Sequence, residues 1–174
     1  VGASGTANTQ ASTGITGARN LYIYSSSAAS RPVVAMVPVS NANAGTHRMV
    51  MKVRGNFSAG ETIELGYLTN PTDATTFTAI NSIVTNSATV FQTFTTVPST
   101  SLPAGDVVFA LRTGTALLST LIDDITWEQL PACPDPIGLV VGNITASGAD
   151  TSWADLSAGG ATGYEYAVTT SATP

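Results

Sequence analysis

The sequence predicts an all-β protein: one antiparallel two-sheet β-sandwich, then the beginning of a second. Three observations carry this. About eight short runs of β-branched and aromatic residues recur at regular spacing, separated by turn clusters. No stretch shows a 3.6-residue apolar stripe with helix caps. Hydrophobic residues make up 43% of the chain and charged residues only 10%, a balance that folds rather than staying disordered.

The elements follow in order. Residues 1–18 are small and polar, with four glycines and no periodicity, and read as a loop or loosely attached strand. "RNLYIYS" alternates Leu21 and Ile23 with Tyr22 and Tyr24. "RPVVAMVPVS" contains Pro32 and Pro38, which suit an edge or bulged strand because proline donates no ladder hydrogen bond. "HRMVMKVRG" sets Met49, Met51 and Val53 against Val50, Lys52 and Arg54, and "TIELGYL" sets Ile63, Leu65 and Tyr67 against Glu64 and Gly66. "FTAINSIV", "ATVFQTFTTV", "DVVFALRT" and "STLIDDITWEQL" complete the set. "NFSAGE", "TNPTD" and "PAGD" supply turns. The expected core is Met49, Met51, Ile63, Leu65, Phe109, Leu111, Ile125 and Trp127.

The pattern breaks at "PACPDP", three prolines in six residues, which reads as a stiff, extended connector. Residues 1–131 carry six basic and seven acidic side chains, a net charge of -1, whereas 132–174 carry four acidic ones and no basic one. The expected domains are therefore 1–131 and 132–174. Three strands, "IGLVVGNITAS", "DTSWADL" and "GYEYAVTTS", make a poor core on their own.

Composition also excludes function classes. The net charge is -5, with no basic cluster to displace counterions, so nucleic acid is not an expected partner. No apolar run reaches the ~20 residues of a membrane span, so membrane insertion is not expected. The chain opens on "VGASGTANTQ" without a signal peptide, as a mature or excised segment would. Cys133 is the single cysteine and has two readings: a free thiol, or half of a disulfide with a cysteine outside this segment.

"LGYLTNPTDATTFTAI", "VFQTFTTVP", "DVVFALRT" and "LIDDITWEQLPACPDP" together resemble the MAM-like jelly-roll modules of Bacteroidetes surface and secreted proteins. The likeness covers residues 19–131. Such modules begin with Trp-containing strands that this chain lacks, which implies missing N-terminal strands. Residues 136–174 resemble the first half of a fibronectin type III domain, an immunoglobulin-like sandwich. In that likeness Leu139 and Val141 fall on the first strand, Trp153 is the core tryptophan of the second, and Tyr164, Tyr166 and Val168 fall on the third. The resemblance implies a jelly-roll sandwich, part of a multidomain protein exported to the cell surface by type IX secretion.

Simple alternation puts Leu121, Asp123, Ile125 and Trp127 on one strand face and Ile122, Asp124, Thr126 and Glu128 on the other. If the Trp127 face packs inward, Asp123 is buried and needs a partner. Two readings stand: loop backbone N–H groups, or a Ca²⁺ ion, which jelly-roll binding modules often carry. Catalysis is not expected. Asp123 and Asp124 point apart, Glu61 and Glu64 have opposite parity, and no nucleophile motif accompanies His47, which reads as an exposed residue at a strand start. The sequons at Asn56 and Asn143 read as coincidence in a bacterial protein.

Tyr22 and Tyr24 on one strand face, and Tyr67, are the candidate ligand-binding residues, because pyranose rings stack on aromatics; core packing is the alternative. The expected function is a non-catalytic adhesion or binding module, secreted or on the cell surface. Its expected partners are glycans or extracellular polymers, the secretion machinery, or neighbouring copies. An accessory module of a secreted hydrolase and a structural spacer in a surface array are the alternatives.

Overall fold

The computed structural model describes residues 5–11, 15–98, 101–114, 118–131, 136–154 and 163–164. The chain divides into two compact units, Val1–Gln129 and Leu130–Pro174.

In the first unit nine strands among the described residues form two antiparallel sheets. They are β1 (Thr6–Ala11), β2 (Arg19–Ser25), β3 (Val33–Ala35), β4 (His47–Gly55), β5 (Thr62–Leu68), β6 (Phe77–Val84), β7 (Gln92–Thr96), β8 (Val108–Thr113) and β9 (Leu118–Gln129). One sheet runs β1-β2-β9-β4-β7 and the other β3-β8-β5-β6. The chain changes sheet between β2 and β3, β3 and β4, β4 and β5, β6 and β7, β7 and β8, and β8 and β9, the winding of a jelly roll. Helix is confined, among the described residues, to two short 3₁₀ turns at Ala28–Ser30 and Ala74–Thr76.

The two-residue alternation of β4 and β5 builds the core. Met49, Met51 and Val53 face Ile63, Leu65, Phe109 and Leu111, with Ile23 and Ile122 beside them, and all are essentially inaccessible. Each such side chain contributes about 1.5–3 kcal/mol by leaving water. "RPVVAMVPVS" forms only the three-residue edge strand β3 and a single bridge, Val39 to Val107, consistent with its prolines. Residues 6–11, from the stretch read as a loop or loosely attached strand, form the edge strand β1 on β2.

Ile125 and Trp127 depart from the expected core: Ile125 is 39% exposed and Trp127 half-buried. A β-bulge in β9 is the cause. Lys52 opposes Asp123 and Val50 opposes Thr126, so Asp124 and Ile125 share the single position of Met51. Asp124 takes the left-handed conformation, φ 48°. The extra residue resets the alternation. Ile122 and Trp127, opposite Val53 and Met49, both point inward although they are five residues apart. Asp123 lies opposite the outward Lys52 and so does not share the Trp127 face, correcting the parity read from sequence.

On the outer face of the smaller sheet, Phe77 lies across Gly66. A Cβ on Gly66 would meet the Phe77 ring at 2.5 Å and the Thr78 carbonyl oxygen at 2.3 Å. The Arg112 guanidinium covers the ring at 4.1 Å and pairs with Glu64 at 2.6 Å, while Arg31 reaches the other Glu64 oxygen at 3.1 Å.

In the second unit β10 (Ile137–Gly142) and β11 (Asp150–Ala154) pair antiparallel. Leu139, Val140 and Val141 are all more than half exposed. Trp153 meets Tyr164 edge to face at 6.3 Å. Cys133, the "ACPD" stretch, Tyr166 and the rest of the third expected strand lie outside the described residues.

Candidate functional site

The bulge gathers the carboxylates against the β1–β2 hairpin. Asp123 Oδ1 accepts the N–H of Asp124 at 2.9 Å, and the Thr16 hydroxyl donates to Asp124 Oδ1. Asp123 Oδ2 is buried with no hydrogen-bond partner. Leu21 opposes Ile122, which places Asn20 beside Asp123 on the same outer face. Asn20 is 4% exposed, and its Oδ1 is also buried without a partner. Lys52, opposite Asp123, donates instead to Thr93 Oγ1 at 2.6 Å. Two unpartnered acceptor oxygens on adjacent strands, one of them a carboxylate's, are a costly arrangement that a hard cation or a donor would relieve. Among the described residues no three His, Cys, Asp or Glu side chains cluster, so any cation held here would draw on amide, hydroxyl and backbone oxygens as well. Asn20 escaped the sequence reading because only the β2–β9 register brings it to Asp123.

The same outer face carries the paired tyrosines. Tyr22 and Tyr24 alternate with the inward Ile23 and are half-buried. Asn8 and Thr6 of β1 oppose them on one side, Leu121 and Ser119 of β9 on the other. Two cross-strand steps from Tyr22 lies Arg54 of β4, which opposes Leu121. Arg54 donates through Nη1 to the carbonyls of Gly55, at 3.1 Å, and Ala88, and its guanidinium lies 5.0 Å from the centre of the Phe91 ring. Thr93 and Thr95 of β7 continue the face beyond Lys52 and Val50. Aromatic rings edged by hydroxyl, amide and cationic groups can stack on a sugar and hydrogen-bond its hydroxyls.

Tyr67 is elsewhere. It opposes Phe109 and packs against the core from the smaller sheet, so it does not join Tyr22 and Tyr24.

A third feature is an apolar cleft of about 390 Å³ lined by Met36, Val37, Met49, Phe109, Ile125 and Trp127 among others. The Trp127 ring is already engaged. His47, half-buried rather than exposed, stacks on it at 5.5 Å, Phe109 tilts against it at 5.4 Å, and its Nε1–H donates to the Ser40 carbonyl at 3.2 Å.

No protein family matches the chain, and no curated protein matches it in sequence. Its fold has relatives among solved structures. It is similar to the CBM22-1 xylan-binding domain of Xyn10C from Paenibacillus barcinonensis, at 12% identity and TM-score 0.51, over 72% of this chain and 81% of that one. It is similar to the family 30 carbohydrate-binding module of the cellulosomal cellulase Cel9D-Cel44B from Clostridium thermocellum, at 10% identity and TM-score 0.52, over 71% and 82%. The K2 cleaved adhesin domain of Lys-gingipain, a protein of Porphyromonas gingivalis, matches at 17% identity and TM-score 0.50, over 69% and 77%. Jelly-roll carbohydrate-binding modules and adhesin domains share this fold.

Proposed function

We propose that the first unit is a non-catalytic carbohydrate-binding module, presented outside the cell as part of a longer multidomain protein. Its ligand would lie along the outer face of the five-stranded sheet. The observation that carries the reading is the Tyr22–Tyr24 pair, edged by Thr6, Asn8 and Ser119, on a fold shared with a xylan-binding domain. Two partly exposed rings on one strand offer a stacking platform, and the flanking side chains match a sugar's alternating donors and acceptors.

The resemblance to MAM-like modules, and of the second unit to a fibronectin type III domain, supports a surface protein exported by type IX secretion. Adhesion and service to a catalytic domain in the same protein are both compatible with this site. The carbohydrate-binding relatives are a xylan-binding domain and a module of a cellulase, the adhesin relative a domain of a gingipain. A spacer role would leave the tyrosine face without a ligand.

Affinity electrophoresis of the whole chain against a panel of soluble polysaccharides tests the reading. At least one polymer should retard the wild type, and Tyr22→Ala with Tyr24→Ala should abolish retardation without loss of fold. A chain retarded by no polymer in the panel would sink it in favour of the spacer role.

We propose further that Ca²⁺ is held at the bulge by Asp123 and Asn20. The support is the pair of buried, unpartnered oxygens, whose hard character fits calcium. The ion would neutralise the carboxylate and tie β2, β9 and the hairpin together.

A further inference from the structure

We infer that the polysaccharide taken by the outer face is an acidic one, bearing carboxylates along its chain. The inference rests on the glycan-binding reading and concerns which glycans fit. Arg31 and Arg112 are paired with Glu64, and Arg48 with Glu128 at 2.7 Å. Among the described residues Lys52 and Arg54 have no carboxylate partner: the Lys52 ammonium rests on the Thr93 hydroxyl, and Arg54 on two carbonyls and the Phe91 ring.

Both cations project from alternate positions of β4 onto the outer face, about 6.8 Å apart along the strand. Asp123, opposite Lys52, makes no ion pair with it among the described residues, since the ammonium turns to Thr93 and one carboxylate oxygen takes the Asp124 N–H. Arg54 is moreover held in place, with one nitrogen committed to carbonyls and its plane backed by an aromatic ring, so little rotamer freedom is lost when an anion arrives.

Register connects these charges to the stacking platform. Arg54, Leu121 and Tyr22 form one cross-strand row, so the backbone positions of the cation and the ring stand two strand spacings apart, ~9.5 Å. A polymer crossing the strands can stack one residue on Tyr22 and present the carboxylate of another to Arg54 and Lys52. A neutral glycan would use the ring and leave both charges without a counterion. Apart from these two cations, residues 1–131 carry four basic and seven acidic side chains, a net charge of -3; at physiological ionic strength those more than roughly 8 Å away are screened.

The test compares polygalacturonate with neutral xylan and hydroxyethylcellulose, by affinity electrophoresis of the whole chain at low and at physiological salt. The expected result is preferential retardation by polygalacturonate, weakening as salt rises. Lys52→Gln together with Arg54→Gln should lower that affinity about tenfold, as the loss of two exposed charge contacts implies. Because Arg54 also braces Ala88, Lys52→Gln alone serves as a second variant, and Lys52→Arg should retain binding. Retardation by a neutral polymer but not by polygalacturonate would overturn the inference and leave the glycan-binding reading standing. Equal binding of polygalacturonate by wild type and Lys52→Gln/Arg54→Gln would also overturn it. Retardation by no polymer would remove both.

Discussion

The N–H of Ser119 donates to Glu61 Oε2 at 3.0 Å, joining residues 58 positions apart. The other oxygen of Glu61 accepts from the N–H of Phe57 and from the N–H and hydroxyl of Ser58, between 3.3 and 3.4 Å. Glu61 is 4% exposed, so a buried carboxylate with no cationic side chain beside it among the described residues latches the β4–β5 turn to the start of β9. Glu61→Ala should therefore destabilise the first unit by about 2–3 kcal/mol, since it leaves buried N–H groups unpaired. Glu61→Gln, which keeps one acceptor oxygen, should cost less. Urea unfolding of the three proteins checks the order.

Gly66→Ala should cost about 1–3 kcal/mol through overpacking, because Phe77 and the Thr78 carbonyl occupy the place of the new methyl. Phe77→Leu in the same chain should recover part of the loss by drawing the ring edge away. A Gly66→Ala variant as stable as wild type in thermal melts would contradict the contact.

Calcium should raise the melting temperature relative to chelator. By mass action the gain is about 2.7 kcal/mol at a hundredfold excess over the dissociation constant. Asp123→Asn and Asn20→Ala should each diminish the shift. If wild type melts identically with calcium and with chelator, the two oxygens are satisfied by water instead.

Asp73 accepts the Thr75 N–H at 2.9 Å and hydroxyl at 2.7 Å, and these bonds hold its carboxyl below the ordinary aspartate range. A depressed folded-state pKa contributes stability above the unfolded value, which is lost as pH falls through the folded one. Asp73→Ala should thus lower the melting temperature at neutral pH and lose that effect in strong acid. Carboxyl NMR titration of Asp73 reads the shift directly.

Residues 1–131 expressed alone should unfold cooperatively, because the β4, β5, β8 and β9 core lies entirely within them. Residues 136–174 alone should show no cooperative transition, since the β10–β11 pair leaves Leu139, Val140 and Val141 in water. A sharp thermal transition from the shorter piece would show that it has a core of its own.

The sequence by itself determined the layered core. Met49, Met51, Ile63, Leu65, Phe109 and Leu111 sit in strands whose two-residue period leaves one face apolar, and a strand can bury only one pattern at a time. The same local period showed that Tyr22 and Tyr24 share a face. Three features were decided only by tertiary structure. The bulge at Asp124 turns Asp123 outward and brings Ile125 to the cleft, and a one-residue insertion is defined only against the partner strand. Tyr67 parted from the other tyrosines because sheet membership depends on how the chain crosses between layers. Asn20 met Asp123, and Tyr22 came into line with Arg54, through the antiparallel register of β2, β9 and β4. Register is set by the packing of whole sheets, so residues more than thirty or a hundred positions apart become neighbours for reasons that no local stretch contains.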